Sequence, residues 1–123
     1  MIEGFAGRVI KSTGDGILAT FDGPARGVRA ALEISAGVHP LGLRIRAGLH
    51  AGEIEVASDD VTGIAVRIGS RVAALAGADE VLVTSTVKEL VVGSGLAFLD
   101  RGLHGLKGVP DRWRLYTIAG GDR

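Results

Sequence analysis

The segment Gly14-Asp15-Gly16 places a carboxylate between two glycines, and short apolar runs flank it on both sides. A tight turn here sets the Asp15 carboxylate at the end of two strands, where its oxygens could coordinate a hard divalent cation. An Asx turn, in which the side chain only bonds the local backbone, explains the same residues. Lys11, four residues earlier, is by itself an ordinary strand lysine. Asp15 is therefore a candidate metal ligand whose pattern alone leaves both interpretations open.

A second group of polar residues lies around a predicted helix. Arg67 and Arg71 share one helix face, where their repulsion costs roughly 0.2–0.5 kcal/mol unless an anion offsets it. Asp60 precedes this helix, as a loop acid or as a specific hydrogen-bond acceptor. Lys107 follows Leu106 in a glycine-rich loop, where its point charge could reach a phosphate. Taken singly, each of these residues could equally be an ordinary solvent-exposed charge.

Hydrophobic periodicity predicts the elements that position these residues. Apolar alternation predicts strands over 8–11, 17–21, 43–49, 53–57, 81–83, 96–99 and 113–118. Helices are predicted from Pro24 to about Val38 with Asp22 as N-cap, over 62–76, and from a Ser85 cap to about Val92. Arg29 on the first helix is predicted to face outward; the inward positions predicted on the second are Ala65, Ile68, Val72, Leu75 and Ala76. Because one connection is a hairpin and another a tight β–β turn, we expect an α+β fold, with a mixed or antiparallel sheet and helices mainly on one face.

Composition narrows the class of protein. The 123 residues carry 14 Lys+Arg and 14 Asp+Glu, and only 4% are aromatic, so no nucleic-acid surface is expected. The absence of cysteine excludes disulfide scaffolds, cysteine metal sites and thiol nucleophiles, and it fits a reducing compartment. No apolar run approaches the roughly 18 residues of a membrane span, and no signal-peptide pattern is present. We therefore expect a single domain over 1–123 that acts in the cytoplasm.

Three common site motifs are absent from the sequence. Ile10 rather than glycine precedes Lys11-Ser12, which excludes a P-loop. Neither a Gly-x-Gly-x-x-Gly fingerprint after a strand nor a His-Glu-x-x-His helix occurs. The three histidines, His39, His50 and His104, share no helix and are predicted to be surface or structural residues.

Four segments in a fixed order resemble the class III adenylate/guanylate cyclase catalytic domain. They are Ile10-Lys11-Ser12-Thr13-Gly14-Asp15-Gly16, Arg46-Ala47-Gly48-Leu49-His50-Ala51-Gly52, Asp60-Val61-Thr62-Gly63 with Gly69-Ser70-Arg71-Val72, and Leu106-Lys107-Gly108. Each segment is weakly specific alone, whereas the four together extend the similarity from about Gly7 to Ile118. The resemblance implies a ferredoxin-like core and head-to-tail dimers whose active sites lie at the interface.

The resemblance also implies a reaction, the conversion of ATP to 3′,5′-cyclic AMP and pyrophosphate in cyclic nucleotide signalling. In this family two carboxylates hold two divalent ions, Mg²⁺ or Mn²⁺, which activate the ribose 3′-hydroxyl for attack on the α-phosphate. Asp15 matches the second metal aspartate. Lys11 and Asp60 match the pair that reads the adenine edge, which favours ATP over GTP. Arg71 matches the arginine that stabilises the α-phosphate in the transition state, and Lys107 matches the lysine that holds the terminal phosphates.

Two features depart from the family pattern. The strand of the Phe-x-Asp-Ile-Val-x-Ser type, which carries the first metal aspartate, has no counterpart in these residues. We therefore expect an N-terminally truncated domain with an incomplete two-metal site, and a homodimer or higher association that covers the strands left unpaired. Arg67 occupies the position where many members carry a ribose-orienting asparagine, so its longer cation either holds a phosphate or fills the pocket poorly.

Three functions remain open on the sequence. The first is an adenylate cyclase domain that is impaired in this chain. The alternative is a catalytically inactive, cyclase-derived domain that retains nucleotide binding or dimerisation. The third is a small α+β protein whose polar residues are all solvated.

Overall fold

A computed structural model describes residues 7–12, 17–53, 55–57 and 60–118. Its strands are β1 (Gly7–Ser12), β2 (Ile17–Phe21), β3 (Arg46–Leu49), β4 (Glu55–Ala57), β5 (Asp60–Thr62), β6 (Glu80–Thr84), β7 (Phe98–Gly105) and β8 (Arg112–Ile118). Its helices are α1 (Pro24–Val38), which a 3-10 turn over His39–Leu41 follows, α2 (Ile64–Leu75) and α3 (Ser85–Leu90). Over the residues so described, no helix combines the length and apolarity needed to cross a bilayer. The elements follow the predicted order with one addition: Asp60–Thr62 forms a strand where a loop and the start of a helix were predicted. In addition, β7 extends further into the predicted loop.

The central sheet has four strands in the order β3–β6–β8–β7. Strand β6 runs parallel to β3, with Arg46 opposite Glu80 and Leu49 opposite Val83. The β6–β8 and β7–β8 pairs are antiparallel, and two further antiparallel hairpins join β1 to β2 and β4 to β5. This mixed sheet with helices packed on it is the α+β fold expected from the sequence.

Strand β6 forms the centre of the core because its alternate side chains enter two different clusters. Val81 and Val83 pack with residues of α1 and α3. Leu82, which points to the opposite face, packs with residues of α2 and with Leu115 of β8. The prediction of helices mainly on one face holds for α1 and α3 and is wrong for α2. The physical reason is that β6 has three consecutive apolar residues, whose side chains point alternately to the two faces of the sheet. Both faces must therefore be covered, and α2 covers the second one.

Helix α2 packs closely against β3 because Gly48 has no side chain. A Cβ at this position would lie 2.6 Å from the Cα of Ala73 and 2.8 Å from the carbonyl carbon of Val72. Only glycine allows so close an approach between a strand and a helix backbone. The contact sets the distance between α2 and the sheet, and therefore the position of every side chain that α2 carries.

Helix termini and faces differ from the predictions at three places. Gly23 rather than Asp22 is the N-cap of α1, with a φ of 121° that glycine adopts without strain, and no side chain caps the helix. At α3 the N-cap is Thr84 rather than Ser85, since β6 continues directly into the helix. Leu75, predicted to face inward, is 41% exposed, because the buried residues of α2 follow each other at spacings of three and four positions that omit it.

Two polar residues also lie elsewhere than predicted. Arg29, expected on the outer face of α1, is half-buried and donates from Nη2 to the carbonyl oxygen of Ser94 at 2.7 Å. The loop that follows α3 covers this part of α1, which the helical pattern alone does not reveal. Asp60, expected in a loop, is the first residue of β5 and stands opposite Ala57 in the β4–β5 hairpin.

Candidate functional site

Two arginines of α2 and the turn between β7 and β8 meet on one surface. The Nε of Arg71 donates to the carbonyl oxygen of Lys107 at 3.1 Å, and the Nη1 of Arg67 donates to the carbonyl oxygen of Gly108 at 3.4 Å. The side chains of Arg67, Arg71 and Lys107 are all exposed. The structure thus brings together three predicted site residues from distant parts of the chain. Arg71 is 36 positions from Lys107, and Arg67 is 41 positions from Gly108, the residue after Lys107.

The turn that carries Lys107 is well defined by its backbone. The N–H of Val109 donates to the carbonyl oxygen of Leu106 at 3.0 Å, and Gly108 has a φ of 79°. A positive φ at the third position is the mark of a type II turn, which places Lys107 at the second position. Leu106 is 4% exposed and packs in the cluster beneath α2, whereas the side chain of Lys107 stays in solvent. The burial of Leu106 therefore fixes the position of the neighbouring Lys107 backbone on the surface.

The charge of this surface suits an anion. Among the side chains that the structure describes, no carboxylate forms an ion pair with Arg67, Arg71 or Lys107, while arginines elsewhere in the fold are paired with Asp79, Glu80 and Asp100. Three like charges close together repel one another, and an anion with several oxygens would relieve that repulsion. A guanidinium has five N–H donors, so Arg71 retains donors beyond the Nε that binds the turn.

Lys11 and Asp60 lie on neighbouring strands. The structure describes their backbones: Lys11 stands opposite Leu18 in the β1–β2 hairpin, just past an irregularity in register, and Asp60 begins β5. Strand β1 lies against β5, and β5 in turn contacts α2. The strands of the predicted base-reading pair are therefore adjacent to each other, and the helix that carries Arg67 and Arg71 follows directly along the chain.

Asp15, the predicted metal ligand, lies outside the described residues. Among the side chains that the structure describes, no three of His, Asp or Glu group together as a metal site would require. The metal prediction consequently depends on Asp15 and stays a prediction.

The histidines have structural contacts, as the sequence suggested. The Nδ1 of His50 is 2.8 Å from the Oγ1 of the buried Thr84, and its ring meets Trp113 edge-on at 5.4 Å. Burial lowers the pKa of His50 below its usual value. The Nε2 of His104 is 2.8 Å from the carbonyl oxygen of Arg101. His50 therefore connects the ends of β3, β6 and β8. In the sequence, the only sign of this role is its position directly after β3.

A cavity of about 390 Å³ lies elsewhere, between the C-terminal half of α1 and the sheet. Its walls include Leu32, His39, Asp79 and Ile118, and none of the predicted site residues lines it. The surface formed by Arg67, Arg71 and Lys107 is therefore separate from this cavity.

Comparison with known proteins finds relatives of the chain by sequence. No protein-family model matches the chain. A Rhizobium meliloti (strain 1021) protein named "Putative adenylate cyclase 3" is 29% identical over 126 aligned positions, which cover 95% of this chain and 22% of that protein. An uncharacterized protein of Mycobacterium tuberculosis (strain ATCC 25618 / H37Rv) is 27% identical over 93 positions, which cover 74% of the chain and 25% of that protein. The chain thus spans about a quarter of the length of the curated relatives that it matches.

Solved structures share the fold over nearly the whole chain. An adenylate/guanylate cyclase/hydrolase from Silicibacter pomeroyi superposes with a TM-score of 0.86 at 27% identity, covering 95% of this chain and 75% of that one. An adenylate cyclase from Trypanosoma brucei superposes with a TM-score of 0.87 at 17% identity, covering 98% and 73%, a likeness of fold alone. These comparisons confirm the resemblance inferred from the four segments, and the fold class with it.

Proposed function

We propose that this chain, which has the fold of the class III adenylate/guanylate cyclase catalytic domain, serves the conversion of ATP to 3′,5′-cyclic AMP and pyrophosphate. The observation that carries the proposal is the hydrogen-bonded grouping of Arg67 and Arg71 with the Lys107 turn on a scaffold of that fold. Three exposed cations on one surface suit a triphosphate, because its negative charge is spread over many oxygens.

The candidate residues divide the work by their chemistry. Lys11 donates to a ring nitrogen of adenine and Asp60 accepts from the 6-amino group, where guanine presents an acceptor instead. Arg71 stabilises the charge that develops on the α-phosphate as the 3′-hydroxyl attacks it in line. Lys107 holds the terminal phosphates and so orients the pyrophosphate leaving group.

A divalent cation, Mg²⁺ or Mn²⁺, enters the proposal through Asp15. A carboxylate oxygen is the hard ligand that such ions prefer, so the donor chemistry of Asp15 fits. The cation, when bound, supplies Lewis-acid activation of the hydroxyl and neutralises phosphate charge. These 123 residues match one of the family's two metal carboxylates, and for that reason we expect the isolated chain to turn over slowly.

A homodimer or higher association forms part of the same proposal. Each active site takes Asp15 from one chain, and from the other chain it takes Lys11, Asp60, Arg71 and Lys107. Support comes from β3, which has one hydrogen-bonded neighbour in the described sheet and leaves its other edge open to pairing. Sedimentation of the purified chain at several concentrations measures this directly, and a strict monomer at all of them contradicts it.

The function is tested by incubating the purified chain with Mn²⁺ and either ATP or GTP. Cyclic AMP is quantified by mass spectrometry, and nucleotide binding by calorimetry. Slow formation of cyclic AMP with preferential ATP binding supports the proposal. Preferential ATP binding without product supports the alternative, an inactive cyclase-derived nucleotide-binding domain. Absence of nucleotide binding contradicts the cyclase and leaves, of the alternative, only a dimerisation domain. Arg26→Ala, at an exposed position of α1, removes a positive charge outside the candidate site and is expected to leave nucleotide binding unchanged.

A further inference from the structure

The turn that carries Lys107 is attached to α2 at two successive residues. Arg71 binds the carbonyl oxygen of Lys107, and Arg67 binds that of Gly108. The two arginines are one helical turn apart, on the same face of α2. Lifting the turn from α2 therefore breaks both hydrogen bonds, and rotating the turn about one of them breaks the other.

Arg67 also packs against the turn through its aliphatic stem. A Cβ at Gly108 would lie 3.7 Å from the Cδ of Arg67 and 3.9 Å from its Nη1. On the inner side, Leu106 is buried against Ile68, Val72 and other residues of the cluster beneath α2. The turn is consequently enclosed between a buried leucine below and the Arg67 side chain at the surface.

We propose that Arg67 is a positioning residue, which fixes the Lys107 ammonium group for the terminal phosphates by anchoring the turn, and which does not itself bind ribose or phosphate. The nature of the ligand, a polyphosphate, rests on the proposed function; the anchoring of the turn does not. Arg71 contacts the turn through its Nε, whereas Arg67 contacts it both through Nη1 and through its aliphatic stem, which lies against Gly108. In this proposal Arg71 binds the ligand and Arg67 positions the turn.

The intrinsic fluorescence of Trp113 can be used to follow changes in the position of this turn. It is the single tryptophan of the chain, and its Nε1 donates to the carbonyl oxygen of Pro110 at 3.1 Å. Arg67→Met keeps most of the stem and removes every donor. We expect this variant to increase acrylamide quenching of Trp113 and to weaken binding of inorganic triphosphate by roughly fivefold, the equivalent of one hydrogen bond. Arg26→Met, at an exposed position of α1, is expected to change neither quantity.

A double-mutant cycle separates positioning from direct binding. If Arg67 acts through Lys107, Arg67→Met has no further effect on triphosphate affinity in a Lys107→Ala background. Additive losses overturn the proposal, because they show that Arg67 contacts the ligand itself. Unchanged quenching in Arg67→Met overturns it too, since the turn is then held without Arg67. A wild-type chain that fails to bind triphosphate contradicts the proposed function, and the quenching experiment still decides whether Arg67 anchors the turn.

Discussion

Gly48 of β3 lies directly against the backbone of Ala73 in α2, with no side chain between the strand and the helix. A Cβ on Gly48 would lie 2.6 Å from the Cα of Ala73, far inside the distance of van der Waals contact. The obstructing atoms belong to the backbone and cannot rotate aside as a side chain can. Because α2 also carries Arg67 and Arg71, this contact determines where two cations of the candidate site stand relative to the sheet.

Gly48→Ala is therefore expected to lower the free energy of unfolding by about 2–3 kcal/mol, because α2 must move away from β3 to admit the methyl group. Gly69→Ala is the matched control: the residue lies inside α2, and beyond the adjacent backbone of the helix itself none of the described atoms lies within 4 Å of its Cβ position. Replacing a glycine inside a helix with alanine should raise the free energy of unfolding by up to about 1 kcal/mol. Urea denaturation followed by far-UV circular dichroism compares the two, and equal effects would contradict the close approach.

Glu80 of β6 and Arg101 of β7 form a bidentate ion pair across β8, with N–O distances of 2.6 and 2.9 Å. The hydrogen bond from Arg101, assisted by the N–H of Gly77, lowers the pKa of Glu80 from 4.5 to about 2. The folded chain thus binds this proton less tightly than the unfolded chain does. The contribution of the pair is present above pH 4.5 and is lost as the pH falls towards about 2.

Arg101→Gln should accordingly reduce the free energy of unfolding by about 1 kcal/mol near neutral pH and by much less at the acid end of that window. Urea denaturation curves of wild type and variant, recorded near neutral pH and at the acid end of the window, measure the loss in the free energy of unfolding at each pH. Arg26→Gln, whose arginine forms no ion pair among the described residues, is expected to leave the pH dependence as it is. A loss for Arg101→Gln that stays constant with pH would show that the side chain acts through packing instead.

Arg71→Ala tests the transition-state role. In any form of the protein that shows cyclase activity, we expect kcat to fall by roughly 10²–10³, with a much smaller change in KM, because charge on the α-phosphate develops mainly during the reaction. Steady-state kinetics with ATP provide both constants. A defect confined to KM would indicate ordinary substrate binding, and unchanged kinetics would indicate a surface charge.

Base selectivity tests Lys11 and Asp60 together. Changing Lys11→Glu and Asp60→Cys should shift the preference from ATP towards GTP, because the exchanged groups then match the guanine edge. Each mispaired polar group in a dry site costs about 1–3 kcal/mol, which corresponds to roughly 5- to 150-fold in affinity. Competition between the two nucleotides measures the ratio for wild type and variant. Equal binding of ATP and GTP by the unmodified chain would remove the basis for assigning this pair.

Much of the fold follows from local sequence patterns. The hairpin of β1 and β2, the helices and the strand over 81–83 are encoded in apolar periodicity, which depends on residues a few positions apart. The order of four short segments was enough to indicate the fold family, because their combination in one order is far more specific than any segment alone. Local patterns gave wrong predictions at the ends of helices. At Gly23 the backbone conformation determines which residue caps α1, and at Leu75 the packing between elements determines which side chains are buried.

The sequence by itself determined which residues are candidates for chemistry, namely Lys11, Asp15, Asp60, the two arginines of α2, and Lys107. Only the tertiary structure decided how Arg67 is used, since its partner Gly108 is 41 residues away and no pattern of spacing predicts a guanidinium bound to that carbonyl oxygen. It also decided that α2 lies on the face of the sheet opposite α1 and α3. Periodicity shows that a side of a helix is buried, but which surface buries it depends on how distant segments fit together, and here that fit depends on the missing side chain of Gly48.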